Sequence, residues 1–188
     1  MFEGAWPPWA VDRIGLVSDS HGNAERTTRA IDALLADGAE CILHLGDVGD
    51  ERVVDRLVGL PVGILLGNVD DDRMADYARA LDLVVHDPAL VADLGGIRIA
   101  ATHGHREDVV ASLVEASPDV LVHGHTHRFR DEPIDGVRFV NPGALQRTKV
   151  PTAAMLEVRS GVLSRYELPD DAGVRRIPGP ALGEPPWA

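Results

Sequence analysis

Arg13-Ile14-Gly15-Leu16-Val17-Ser18-Asp19-Ser20-His21-Gly22-Asn23 is the stretch whose reading decides the fold. Its first five residues are too short for a helix and apolar along most of their length, the mark of a strand buried on both faces. The run ends in a polar exit. Ala24 to Ala36 then carries Ala30, Ile31, Leu34 and Leu35 at helical spacing, with Gly38 at its stop. The unit recurs twice. Cys41 to Leu45 reads as a strand, Gly46-Asp47 as its exit and Arg52 to Val58 as a helix; Pro61 to Leu66 is the third strand, Gly67-Asn68-Val69-Asp70 its exit and Arg73 to Ala80 a short helix. Strand and helix in alternation imply parallel β-α-β units.

Beyond Leu81 the rhythm changes to hairpins. Gly95-Gly96 joins Ala89–Leu94 to Ile97–Ala101, Asp135-Gly136 joins Phe129–Ile134 to Val137–Val140, and Ser160-Gly161 joins Ala153–Val158 to Val162–Leu168. Between them a helix from Glu107 to Ala116 leads to a strand at Asp119–Val122. A parallel half followed by hairpins predicts an α/β fold of two mixed sheets face to face with helices outside, a four-layer α/β/β/α sandwich. The expected domain spans residues 11–168. Residues 1–10 and 169–188 read as proline-rich tails, and they hold all three tryptophans, Trp6, Trp9 and Trp187. Exposed tryptophan is costly, so one tail is expected to dock on the body or on a second copy of the chain, making a homo-oligomer.

Size and charge narrow the function. The 188 residues suit one domain with an ordinary core. Lys and Arg number 18 against 30 Asp and Glu, a net charge of −12 that argues against binding duplex nucleic acid through its phosphates. One cysteine, Cys41, excludes an internal disulfide. The N-terminus lacks the pattern of a secretion signal and no run is long enough to span a bilayer, so no membrane partner and a cytoplasmic location are expected.

Five strand exits pair a polar group with a glycine: Asp19 and His21, Asp47, Asn68, His103, then His125 and His127. Ligands of open α/β sheets bind outside the carboxyl ends of the strands, so these exits are expected to converge. Seven of the 8 histidines lie in or beside them; His86 is the exception. The glycines Gly22, Gly46, Gly67, Gly104 and Gly124 are expected to let backbone pass close to a bound group. In His123-Gly124-His125-Thr126-His127, histidine at every second position predicts three imidazoles on one side of a strand end. Carboxylate, amide and imidazole donors without thiolate suit Mn, Fe, Zn, Ni or Co in an open site. Seven donors exceed what one ion needs, whereas two ions roughly 3.5–4 Å apart sharing a carboxylate would use them all. Asp47, alone at its exit, is the natural bridge.

In their order, Asp19-Ser20-His21, Gly46-Asp47, Gly67-Asn68-Val69-Asp70, His103-Gly104-His105 and Gly124-His125-Thr126-His127 resemble the motifs of the calcineurin-like metallophosphoesterases. The likeness runs from about residue 13 to 168. More narrowly, the chain is similar to the small single-domain phosphodiesterase branch, to which the small subunit of the retromer coat also belongs. The resemblance implies that Asp19, His21, Asp47 and His127 hold one ion and that Asp47, Asn68, His103 and His125 hold the other, with manganese the first expectation. It also implies that Asn141-Pro142-Gly143 lies near the site, although Ala144 stands where the family usually has serine. Val69 occupies the place of a histidine that many members use to protonate the leaving oxygen, a departure associated with diesters or activated substrates.

The expected activity is hydrolysis of small phosphodiesters by a metal-bridging hydroxide, with Asn68 and His105 in catalytic roles. His105 replaces the missing acid because its ordinary pKa suits proton donation; its alternative role is to orient a ligand. Two ions at +2, less Asp19, Asp47 and one hydroxide, leave about +1 to match a diester anion. His44 and His123 are read as residues behind the site or in the core, and Asp70 as a carboxylate orienting a histidine. The competing readings are a phosphomonoesterase and a non-catalytic metal-binding scaffold of the retromer-subunit type. A hydrolase of the metallo-β-lactamase type would need Asp-His after His127, where Arg128 stands.

Overall fold

A computed structural model describes residues 11–179. Arg13–Val17 (β1), Ala24–Ala36 (α1), Cys41–His44 (β2), Glu51–Asp55 (α2), Val62–Leu65 (β3) and Asp72–Ala80 (α3) form the alternating half. Val84–His86 (β4), Ala89–Leu94 (β5), Ile97–Thr102 (β6), Glu107–Glu115 (α4), Val120–His123 (β7), Phe129–Ile134 (β8), Val137–Pro142 (β9), Thr152–Glu157 (β10), Leu163–Glu167 (β11) and Arg175–Ile177 (β12) follow. The strands make a seven-stranded sheet in the order β12-β11-β10-β1-β2-β3-β4 and a five-stranded sheet in the order β5-β6-β7-β9-β8. Strands β1 to β4 run parallel, as do β6, β7 and β9, and the hairpin partners run antiparallel.

Period-two alternation in strands buried on both faces produces the layers. Ile14, Leu16, Cys41 and Leu43 face Ile99, Ala101, Val120 and Val122 of the other sheet in one core between the sheets. Val17, Ile42 and Ile64 point the opposite way, to Ile31 and Leu34 of α1, Val53 and Val54 of α2 and Ala78 of α3. On the far side Ala100 and Leu121 meet Val109 and Leu113 of α4. Each inward side chain removed from water contributes about 1.5–3 kcal/mol, and a Leu→Ala change at such a site costs about 2–5 kcal/mol. The result is the expected α/β/β/α sandwich.

Two strands were not expected. Val84-Val85-His86 is short and half exposed, and Arg175-Arg176-Ile177 carries two charges, so neither shows a strand pattern. The second pairs with β11 at Arg165, Tyr166 and Glu167, so part of the stretch read as a C-terminal tail is sheet. Trp6, Trp9 and Trp187 lie outside the described residues, and with them the expected docking of a tail. No described helix is long and apolar enough to cross a membrane.

Candidate metal centre

The exits of β1, β2, β3, β6 and β7 meet at one edge of the sandwich. Backbone bonds lace them together: Asp19 N–H donates to the Gly46 carbonyl, His21 N–H to Asp47, Gly22 N–H to Val48 and Gly124 N–H to His103, at 2.9–3.0 Å. Leu145 and Gln146, after β9, donate to the carbonyls of Ser18 and Asp19. The turns are sharp. Asp19, His21, Asp47, His125 and His127 all have positive φ, from 42° to 65°. A non-glycine residue there costs about 1–3 kcal/mol, and such strain persists where the surroundings hold a functional geometry.

Donor atoms of Asp19, His21, Asp47 and His127 lie within 4.8 Å of one another. Asp19 Oδ1 is 3.1 Å from His127 Nε2 and 4.0 Å from His21 Nε2. The two imidazoles face each other, Nε2 to Nε2, at 3.2 Å. His127 Nδ1 donates to the Arg147 carbonyl at 3.4 Å, which leaves the Nε2 of the neutral ring a lone pair aimed inward. Asp19 Oδ2 is satisfied by Ser18 Oγ at 2.6 Å and His125 N–H at 3.2 Å, while Oδ1 is buried and receives no hydrogen bond among the described residues. Burial holds His21 below its ordinary pKa, against the opposing pull of Asp47 and Asp19. Protonation is therefore disfavoured where several lone pairs converge, and a divalent cation fits the need.

A second convergence shares Asp47. His103 Nδ1 donates to the Leu45 carbonyl at 2.7 Å, so its Nε2 carries the lone pair. That nitrogen lies 3.3 Å from Asp47 Oδ1 and 3.2 Å from Asn68 Oδ1. The His125 ring lies beside His103, centroids 5.2 Å apart. The structure thus brings all seven expected donors to one edge, and Asp47 belongs to both groups.

Tight contacts account for three of the glycines, Gly46 among them, where a side-chain carbon would overlap Gly67 N and His103 Nδ1. A side-chain carbon at Gly67 would overlap Asp47 Oδ1 and its backbone nitrogen, and one at Gly124 would overlap Ser18 Oγ. All three spaces are taken by neighbouring chain, which corrects the expectation that these glycines clear room for a bound group. The triple histidine also differs from expectation. β7 stops at His123, which packs against Phe139, and His125 and His127 follow in a loop at φ 65° and 58°. Strand alternation no longer applies, and the two rings go to different groups, His127 beside His21 and His125 beside His103.

His44 and His123 are buried behind the exits, as expected. Gly46 N–H donates to His44 Nδ1, and His44 Nε2 donates to Ser20 Oγ at 2.8 Å; burial pushes the His44 pKa down to about 4. Asp70 does not orient a histidine. Its carboxylate accepts the N–H groups of Val48 (3.1 Å), Gly49 (2.9 Å) and Gly67 (2.9 Å). Asn141 is buried and donates to the Gly124 carbonyl at 2.8 Å and to Thr126 Oγ1 at 3.1 Å, fixing the histidine loop. His105, with Asn68, Asp72, Asp87 and Arg106, lines a cleft of about 460 Å³ next to the centre. His105 Nδ1 is buried without a hydrogen-bond partner among the described residues, and burial, then His103 and His125, lower its pKa. The carbonyls of Leu45 and Arg147, which fix two imidazoles, are backbone groups that no sequence motif signals.

Residues 13–161 match the calcineurin-like phosphoesterase superfamily domain. Over 153 residues the chain is 26% identical to a phosphodiesterase of Methanocaldococcus jannaschii, covering 77% of this chain and 92% of that protein. It is 27% identical over 167 residues to a probable metallophosphoesterase of Mycoplasma pneumoniae, covering 81% and 93%. Among solved structures, an Escherichia coli phosphoesterase superposes with a TM-score of 0.66 at 25% identity, covering 88% of this chain and 98% of that one. Vacuolar Protein Sorting 29 of Cryptosporidium parvum shares the fold, with a TM-score of 0.60 at 21% identity over 89% and 97%.

Proposed function

The chain belongs to the calcineurin-like phosphoesterase superfamily, and on that premise we propose that it hydrolyses phosphate esters with a pair of divalent ions, small phosphodiesters being its substrates. One observation carries the reading. Asp47 Oδ2 stands 3.6 Å from His21 Nε2 and Asp47 Oδ1 stands 3.3 Å from His103 Nε2, so one carboxylate faces two separate donor groups. A single ion would engage only one of those two histidine nitrogens.

Asp19, His21, Asp47 and His127 would hold one ion, and Asp47, Asn68, His103 and His125 the other. Manganese is the first expectation, with iron, zinc, nickel or cobalt suited to the same donors. Bound there, the ions supply Lewis acidity toward phosphoryl oxygens and bring the pKa of water toward neutrality. The chain supplies the rest. Hydrogen bonds to the Leu45 and Arg147 carbonyls keep His103 and His127 in the tautomer that presents Nε2. Asn68 and His105 line the same cleft, and the ester's leaving group would lie there. Val69, 44% exposed, offers it no proton. His105 would donate one to the leaving oxygen, most effectively on the acidic side of 6.5 because its pKa is lowered.

The test is a panel of phosphodiesters and phosphomonoesters offered to the manganese-loaded chain. Diesters are expected to turn over faster than the corresponding monoesters. Two bound ions with no hydrolysis of any activated diester would replace this reading with the scaffold; faster monoester hydrolysis would replace it with a phosphomonoesterase.

A further inference from the structure

Asp47 and Asp70 stitch the same two loops from opposite sides. Asp47 Oδ1, on the exit of β2, accepts the N–H of Val69 on the exit of β3, at 3.1 Å. Asp70, on the exit of β3, reaches back and accepts the N–H groups of Val48 and Gly49 on the exit of β2 and of Gly67 on its own. The two loops are otherwise in direct contact, since any side-chain carbon at Gly67 would overlap Asp47. Asp70 makes no ion pair among the described residues, and its carboxylate is met by three backbone N–H groups. Bonds of that kind are the stronger sort, and three of them converge on one carboxylate.

We propose that Asp70 is a positioning residue: by clamping the loop of Asp47 to the loop of Asn68 it fixes the carboxylate between the two donor groups, and with it the holding of the second ion. The proposal rests on the two-ion reading above. Without the clamp, the Asp47 loop, turned at φ 53°, would retain one reciprocal bond, from Val69, to hold it to Asn68.

The experiment has two arms, each on the full chain with Asp70→Asn, Asp70→Glu and the neighbouring Asp71→Asn. Asp71 carries the same charge one residue on, but its carboxylate caps α3 by accepting the Met74 N–H. In the metal-free protein, amide hydrogen exchange at Val48, Gly49 and Gly67 is expected to speed up about tenfold or more in Asp70→Asn and to stay unchanged in Asp71→Asn. Unchanged exchange in Asp70→Asn overturns the clamp. In a manganese titration followed by electron paramagnetic resonance, Asp70→Asn is expected to weaken the more loosely held ion about 10–100-fold and leave the tighter ion near its wild-type affinity. Asp70→Glu keeps the charge but displaces the oxygens by one methylene, and is expected to weaken that ion as well. A Glu variant that binds like the wild type, or an Asp71→Asn variant as weak as Asp70→Asn, shows a charge effect and overturns positioning. A wild-type chain that takes up fewer than two ions overturns the two-ion reading itself, a result separate from the exchange arm.

Discussion

The two sides of Asp47 are built differently. On the Oδ2 side, Asp19 is fully buried, His21 is half-buried, and their donor atoms lie within 4.8 Å of those of His127. On the Oδ1 side only His103 is buried; Asn68 and His125 are exposed, and His125 approaches through a ring contact of 5.2 Å between centroids. The donor atoms of the first half already converge, whereas the second half includes two side chains that solvent reaches. Preorganised donors lose less on binding, so the Asp19 half is expected to hold its ion more tightly. Asn68 of the open half lines the cleft that His105 also lines.

Removing the shared residue should break both halves at once. Asp47→Asn is expected to lower turnover about 10³-fold or more and to weaken both ions, because either oxygen serves a different histidine. Metal content by mass spectrometry checks this, and loss of only one ion would mean that Asp47 serves one half.

A second break acts behind the exits of β1 and β2, where His44 accepts the Gly46 N–H. His44 also donates to Ser20, whose hydroxyl accepts a hydrogen bond from Thr27 Oγ1. Its pKa falls from 6.5 to about 4 on folding, so the neutral ring is the folded form. Above pH 6.5 both folded and unfolded chains carry it neutral. As pH drops, the unfolded chain binds a proton that the fold refuses, and stability is lost progressively down to about pH 4, by up to about 3 kcal/mol. Urea unfolding of the metal-free chain at pH 7 and pH 4.5 should show this loss, and His44→Gln should remove that share of it. Parallel pH dependences in the two proteins would contradict the assignment.

The open half is sharpened by two smaller effects. His105→Ala should slow esters with poor leaving groups about 10²-fold and nitrophenyl esters far less; equal slowing of both would remove His105 as the acid. Val69→His should raise monoester hydrolysis several-fold in the order of magnitude that an added acid allows, read as the ratio of monoester to diester turnover. An unchanged ratio would show that the position is supplied with a proton from elsewhere.

Much of this grouping was legible because the donors lie within a few residues of the end of an apolar run, and the carboxyl ends of parallel strands have to share an edge. Asp19, Asp47 and His103 could be read in that way. What could not be read are partners contributed by backbone. The carboxylate of Asp70 was visible beside Asn68, yet nothing in its neighbours shows that it faces the N–H groups of Val48 and Gly49 rather than an imidazole. The alternation of His123, His125 and His127 suggested a strand, but a left-handed turn at His125 ends the extended path and sends the last two rings to opposite halves. Val84–His86 escaped notice for a different reason: three half-exposed residues at a sheet edge carry no periodic signal.

The most direct test is anomalous scattering from crystals of the manganese-loaded chain. Two peaks roughly 3.5–4 Å apart are predicted, with Asp47 contacting both, Asp19, His21 and His127 around one, and Asn68, His103 and His125 around the other. A single peak, or a pair in which Asp47 touches only one ion, would contradict the account.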